Sequence, residues 1–349
     1  MAVELTSIGD VLALGFDDII DVRAPAEFAE DHIPGAINLP VLDDAERAKV
    51  GTIYKQVSPF DARKLGAALV AQNAARHLQG PLADRPGGWQ PLVYCWRGGQ
   101  RSGSFATILG QIGWRVEVVK GGYKSWRHLV VERVYDLPFP SPLVVLDGNT
   151  GSAKTEVLNM LPARGVQVID LEGLANHRGS LFGSMGEQPS QKAFEGRLAV
   201  ALARLDPARP VVVEAESSKV GECRVPPRLW RAMVAAPRVA IVSPRSARAD
   251  YLTRAYGDLI VDPVRLDEVL GLLRKSHAAE VIDGWRAMAG AAAFTALADS
   301  LMEHHYDPRY GKHRARMEVP LTDIAVESLR PGDLADVADR VAEAVLRAV

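Results

Sequence analysis

The stretch Pro91-Leu92-Val93-Tyr94-Cys95-Trp96-Arg97-Gly98-Gly99-Gln100-Arg101-Ser102 reads as a short apolar strand, a glycine-bearing turn and the start of a helix. The helix is predicted over Gly103 to Leu109. That order gathers successive backbone N–H groups and a helix N-terminus around the thiol of Cys95, an arrangement that binds anions and favours a thiolate. A thiol of ordinary pKa is only about 3% ionised at pH 7, and a downward shift of ~2 units makes it mostly thiolate. Cys95 is therefore the expected nucleophile. Arg97, Gly98, Gly99, Arg101 and Ser102 are the expected anion- and donor-binding residues around it.

Working outward, the first third alternates apolar strands with helical stretches. Strands are predicted at Asp18 to Val22, Ala36 to Leu39, Pro91 to Tyr94 and Arg115 to Val119, with a helix over Ala62 to Asn73. This alternation predicts a parallel sheet covered by helices, with the site in the loops at the strand ends. Tyr135-Asp136-Leu137-Pro138-Phe139-Pro140-Ser141-Pro142 carries three prolines and reads as an extended linker. A second α/β pattern starts at Leu143, with strands at Leu143 to Leu146, Val166 to Ile169, Val211 to Val213 and Val239 to Val242. From Val264 onward the spacing of Leu266, Val269, Leu270 and Leu273 is helical. The expected organisation is one domain over 1–135, a linker over 136–142, a second α/β domain over 143–263 and a helical C-terminal segment over 264–349.

The second domain opens with Asp147-Gly148-Asn149-Thr150-Gly151-Ser152-Ala153-Lys154-Thr155. Gly148, Lys154 and Thr155 are in register with the phosphate-binding pattern G-x-x-x-x-G-K-[ST], after a strand and before a predicted helix from Glu156 to Met160. Backbone N–H groups from Gly148 to Thr155 would cradle phosphates, Lys154 would neutralise them, and Thr155 could ligate Mg²⁺. Ala153 stands where the pattern has glycine, which counts against tight nucleotide hydrolysis and less against a simple diphosphate grip.

With 349 residues, two cysteines and a net charge of −2, the chain is too long for one ordinary core, has no disulfide framework and is not a general polyanion binder. No apolar run reaches the ~20 residues of a membrane helix, so a cytoplasmic enzyme is expected. Local basic clusters remain at Arg224, Arg228 and Arg231, and at Lys312, His313, Arg314 and Arg316. Further candidates for substrate contact are His177 and Arg178 in the polar run Asp170 to Ser180, Glu214 at a strand end, Arg224, and Tyr306 in His304-His305-Tyr306-Asp307-Pro308. Glu214 and Glu216 at a strand end could hold a metal or its waters, or be a plain surface pair. Ala215 sits between them, where a second-motif acid is expected, so no metal ligand is assigned. Cys223 reads as structural.

Asp21-Val22-Arg23-Ala24-Pro25-Ala26-Glu27-Phe28, His32-Ile33-Pro34-Gly35-Ala36-Ile37-Asn38 and Gly121-Gly122-Tyr123-Lys124-Ser125-Trp126 are similar to the signatures of rhodanese (sulfurtransferase) domains. Together with the P-loop, Val50-Gly51-Thr52-Ile53-Tyr54-Lys55, Tyr94 to Gly99, Leu171 to Ser180, Gln188 to Gln191 and Tyr306 to Pro308, nearly the whole chain resembles the tRNA 2-selenouridine synthases. The resemblance implies an N-terminal rhodanese-like parallel-sheet domain, a P-loop NTPase-like α/β domain and a C-terminal helical segment. It implies conversion of wobble 2-thiouridine in tRNAs with Lys, Glu and Gln type anticodons to 2-selenouridine. The implied route is S-geranylation by geranyl diphosphate, then replacement by selenium from selenophosphate, with no tightly bound cofactor and with a selenophosphate-supplying enzyme as a partner. Cys95 matches the cysteine of the selenium step, and a Cys–S–Se species attacking C2 of the uridine is expected. Expulsion of a geranyl thiolate is easier than that of sulfide, because alkylation breaks the conjugated thioamide. Arg97 and Arg101 are expected on the phosphate or the RNA backbone, and His177, Arg178, Glu214, Arg224 and Tyr306 on the tRNA.

Two other readings compete. Five residues separate Cys95 from Arg101, which also fits the cysteine-dependent phosphatases related to the rhodanese fold, although Tyr94 replaces their usual histidine and the fused P-loop domain is foreign to them. That enzyme-class alternative extends to another sulfurtransferase with a regulatory P-loop domain. The other is a non-catalytic RNA-binding or regulatory ATPase module, for which so reactive a loop is awkward.

Overall fold

The structure is a computed structural model that describes residues 2–309 and 319–348. The basic cluster Lys312, His313, Arg314 and Arg316 lies outside the described residues. The chain divides into two compact units, residues 1–137 with 189–204, and residues 138–188 with 205–349.

Unit 1 contains β1 (Ala2–Val3), α1 (Ile8–Leu12), β2 (Asp18–Asp21), α2 (Pro25–Glu30), β3 (Ala36–Asn38), α3 (Asp44–Gln56), α4 (Pro59–Gln79), β4 (Pro91–Tyr94), α5 (Gln100–Ile112), β5 (Glu117–Val119) and α6 (Tyr123–Val131). Its five strands pair in parallel in the order β1-β5-β4-β2-β3. β4 lies in the middle and all four of its residues are buried, which is why it reads as a continuous apolar run. Ile20, Val22, Val93, Phe105 and Leu109 form the core between sheet and helices. α3 was not expected, because it contributes no buried residue and so lacks an apolar stripe. It is instead started by a capping box, Asp43 accepting from Glu46 N–H and Glu46 from Asp43 N–H.

A helix from later in the chain, α9 (Gln191–Ala203), also belongs to unit 1. Buried Glu195 on this helix is held by Arg127, by the Tyr135 hydroxyl and by Gln191. The compact unit therefore differs from the contiguous span 1–135. After α6 the chain makes a π-type turn over Glu132–Asp136, and Leu137 to Pro142 has no regular structure, as three prolines dictate.

Unit 2 contains β6 (Leu143–Gly148), α7 (Lys154–Met160), β7 (Gln167–Ile169), α8 (Leu171–Ala175), β8 (Val211–Glu214), the short antiparallel pair β9 (Lys219–Val220) and β10 (Cys223–Arg224), α10 (Pro227–Ala235) and β11 (Arg238–Val242). Then follow α11 (Arg245–Ala255), α12 (Gly257–Ile260), α13 (Pro263–Leu272), α14 (Ala279–Gly290), α15 (Phe294–Leu301), β12 (Leu321–Ala325) and α16 (Leu334–Arg347). The parallel sheet has the order β12-β11-β6-β8-β7, with buried β6 in the centre.

The segment after 264 is mainly helical, and α12 to α15 have their own core of Leu259, Leu270, Ile282, Trp285, Leu297 and Leu301. It also returns to the sheet. β12 extends the edge beside β11, and α16 buries Leu334, Val337, Val341 and Val345 in the P-loop core. Only Ile324 of β12 is buried, so no strand pattern marks it in the sequence.

Candidate functional site

In unit 1, Cys95 follows the central strand and is 4% exposed. The loop after it turns through Gly98 at φ +64°, and Gly99 caps α5. Its sulfur accepts from Gly99 N–H at 3.3 Å and from the Ser102 hydroxyl at 3.2 Å. Burial pushes the thiol pKa up, but the Ser102 hydroxyl and the backbone N–H groups of Ser102, Arg97 and Gly99 outweigh it, and the net shift is downward. The cradle is backed by the turn at Gly121-Gly122. Tyr123 N–H donates to Cys95 O at 2.8 Å and Lys124 N–H to Trp96 O at 3.1 Å. A Cβ on Gly122, at φ +61°, would lie 2.2 Å from Cys95 O and 2.5 Å from Gly98 N, so only glycine fits.

The Asp21 to Phe28 run frames this loop. Buried Arg23 pairs with Asp21 through Nε and a terminal nitrogen, donates to Asp31 O at 2.6 Å and lies 3.9 Å from the centre of the Tyr123 ring. Tyr94, fully buried, accepts from Ile33 N–H at 3.1 Å. Glu27 binds Arg101 at 2.9 Å and Arg47 at 2.8 Å. Burial raises the Glu27 pKa, but the bond and charge of Arg101, then Arg47, take it below the ordinary value. The Arg97 side chain is exposed at the loop.

In unit 2, the P-loop joins β6 to α7. Lys154 Nζ donates to Gly148 O at 2.9 Å. Ala153 adopts φ 59°, ψ 26°, the left-handed conformation that the glycine of the pattern would supply. An alanine pays roughly 1 kcal/mol for that conformation. The loop thus keeps its shape despite the substitution. It is held from behind by buried Arg248, which donates to Thr150 O at 3.1 Å and forms a two-pronged pair with Asp307 at 2.9 and 2.7 Å. Asp307 also accepts from Asn149 at 3.1 Å. Arg248 and Asp307 were not among the expected site residues. Asp307 belongs to the Tyr306-Asp307-Pro308 run, and Arg248 carries no local signal.

Thr155 Oγ1 lies 2.9 Å from a carboxylate oxygen of Glu172 and 2.9 Å from one of Glu214. A hydroxyl has one hydrogen, so it can donate to only one of them. Glu172, Glu214 and Glu216 present carboxylate oxygens within 4.8 Å of one another. Burial, then mutual repulsion with neighbouring acids, raises Glu214 well above the ordinary carboxylate range. Burial followed by Glu172 pushes Glu216 up to about 8, and burial also raises Glu172. The second oxygen of Glu214 is buried without a hydrogen-bond partner. Crowded hard oxygens with an unsatisfied buried acceptor, beside a phosphate loop, fit a divalent cation such as Mg²⁺. From sequence, Glu214 is a substrate-contact candidate and the Glu214/Glu216 pair an unassigned metal candidate, with Thr155 as a Mg²⁺ ligand; Glu172 joins them only in the fold.

A polar cleft joins the P-loop to Glu172, Arg178, Ser180 and Glu216. Arg178 pairs with Asp258 at 3.0 Å and lies 4.9 Å from the centre of the Tyr256 ring. Next to the cleft, and sharing Thr150, Ser180, Leu252 and Tyr256 with it, is an apolar cavity lined by Phe182, Leu259, Phe294, Leu297, Leu301 and Tyr306. His177 accepts from Gly179 N–H at 3.1 Å, and burial lowers its pKa. Arg224 sits on the β9–β10 hairpin and does not line the cleft, while Cys223 beside it is buried. Among the described residues no helix is long and apolar enough to cross a membrane.

Residues 8–129 match the model of the rhodanese-like domain, and residues 141–265 match that of the tRNA 2-selenouridine synthase AAA domain. The tRNA 2-selenouridine synthase of Hahella chejuensis is 35% identical over 330 residues, covering 90% of this chain and 79% of that protein. That of Alcanivorax borkumensis is 35% identical over 336 residues, covering 86% and 91%. That of Psychromonas ingrahamii is 38% identical over 253 residues, covering 71% and 67%. With an anion-cradled thiol in a rhodanese-like unit and a P-loop in the second, the chain belongs to the tRNA 2-selenouridine synthase family.

Proposed function

We propose that the chain is a tRNA-modifying transferase of the cytoplasm that geranylates wobble 2-thiouridine from geranyl diphosphate and then exchanges the geranylthio group for selenium from selenophosphate. The observation that carries the first half is the apolar cavity adjoining the phosphate cleft. A diphosphate on the loop N–H groups and Lys154 leaves an isoprenoid chain facing Phe182, Leu259, Phe294 and Leu297. Mg²⁺ held by Thr155, Glu214 and Glu216 would neutralise the diphosphate as it departs.

The second half rests on the Cys95 cradle. Selenium in selenophosphate is already at the selenide level, so a Cys–S–Se bond would need an oxidant. The balanced route has the Cys95 thiolate attack phosphorus, forming S–P and breaking P–Se. The released hydrogen selenide adds to C2 and expels geranyl thiolate, which leaves as the thiol. Water then hydrolyses the phosphocysteine to thiol and phosphate. The cradle N–H groups bind the phosphoryl oxygens and exposed Arg97 faces their charge. Arg101 is engaged by Glu27, which weakens the phosphatase reading that needs it as the phosphoryl clamp.

The test is nucleoside mass spectrometry after incubating the purified chain with thiolated tRNA, geranyl diphosphate and selenophosphate. Cys95→Ser is expected to accumulate the geranylthio nucleoside and make no 2-selenouridine. Equal loss of both products would overturn the division of labour.

A further inference from the structure

We infer that the groove between α3 and α4 of unit 1 holds the single-stranded RNA backbone while a base is presented to Cys95; this rests on the tRNA reading above. The groove is lined by Arg47, Tyr54, Lys55, Arg63, Gln100 and Arg101, among others, and no carboxylate lines it. Gln100 and Arg101 belong to the first turn of α5, the turn whose Gly99 N–H and Ser102 hydroxyl bind the Cys95 sulfur. The groove therefore opens beside the reactive loop. Its volume is about 910 Å³, far larger than a phosphate ester of a few atoms fills, and its cationic lining suits no isoprenoid. A polyanion is the ligand class that fits both facts.

Two observations narrow the class to nucleic acid. Tyr54 is 56% exposed at the groove, an aromatic face set among cations, which is how single strands are bound without sequence preference. Lys55 and Arg63 are exposed and make no ion pair among the described residues, so their charge is available to phosphates. Arg47 and Arg101 are instead ordered by the shared carboxylate of Glu27 behind them. α3 has no fully buried residue, and while its half-buried Val50 packs against the core, its exposed face forms one wall of this groove. The Val50 to Lys55 run, to which the sequence reading gave no task, lies on that wall.

The test is fluorescence anisotropy of the full chain with a labelled anticodon stem-loop RNA carrying 2-thiouridine, over a range of salt. The Lys55→Ala/Arg63→Ala double variant is expected to bind at least about 10-fold more weakly, with a log–log salt slope smaller by about 1.4, two single-strand phosphate contacts. Tyr54→Ala should lose roughly 5- to 100-fold. Thermal unfolding of these surface variants should match that of the parent. If the parent binds RNA and the variants keep both affinity and slope, the groove inference is overturned and the tRNA reading stands. If instead the variants lose only affinity for polyglutamate, an acidic protein is the ligand and the inference is likewise overturned. A parent that binds no RNA overturns the tRNA reading, and the inference with it.

Discussion

Ser102→Ala tests how the thiolate of Cys95 is made. The Ser102 hydroxyl lies 3.2 Å from the sulfur and 3.2 Å from Gly99 O, and it has one hydrogen to give. With the sulfur ionised, the hydrogen goes to sulfur, a bond to a charged acceptor worth about 1.5–3 kcal/mol. With the thiol protonated, it can turn to the carbonyl, a neutral bond worth about 0.5–1.5 kcal/mol. Alanine removes both, so the thiolate loses about 1–1.5 kcal/mol relative to the thiol, a rise of about one pKa unit. The backbone N–H groups of Arg97, Gly99 and Ser102 remain, so part of the depression survives. The assay is the pH dependence of Cys95 alkylation by iodoacetamide, in a Cys223→Ser background. A midpoint that rises by less than about 0.3 unit, or falls, would refute the claim that this hydroxyl stabilises the thiolate.

Three more outcomes follow from the geometry. Gly122→Ala places a Cβ against Cys95 O in a left-handed backbone, and should cost more than ~1–2 kcal/mol in denaturant unfolding and collapse Cys95 reactivity; parental reactivity would contradict the backing role of that turn. Asp307→Ala strips buried Arg248 of its carboxylate and should cost about 1.5–3 kcal/mol in denaturant unfolding, with weaker pyrophosphate binding; unchanged values in both assays would contradict it. Glu216 is raised from the ordinary carboxylate value to about 8, so the folded state binds a proton there that the unfolded state has lost. Its stabilising contribution is full at acid pH and is lost on the way up to pH 8, by at most about 1.4 kcal/mol per unit. In EDTA, thermal stability should therefore fall from pH 6 to 8. Mg²⁺ should restore it, and Glu216→Gln should flatten the slope; a flat parental profile would count against the cluster.

The two loops were legible because each adjoins a buried central strand with a continuous apolar run, Pro91 to Tyr94 leading into Cys95 and Leu143 to Leu146 leading into Asp147-Gly148. The expected glycine at Ala153 could be judged only from the backbone, which shows the left-handed conformation retained. What the sequence hid is long-range. Glu172, Glu214 and Thr155 come from three separate segments and meet only when β6, β7 and β8 align. Arg248 and Asp307 lie 59 residues apart, and only the folded chain couples them to the P-loop. β12 and α3 escaped because an edge strand with one buried residue and a helix with none carry no hydrophobic period.

The most direct measurement is mass spectrometry of wobble nucleosides from cells with and without the gene for this chain. The account predicts 2-selenouridine in its presence, and only 2-thiouridine, with neither the geranylthio nor the seleno form, in its absence. Identical 2-thiouridine derivatives in both would contradict it.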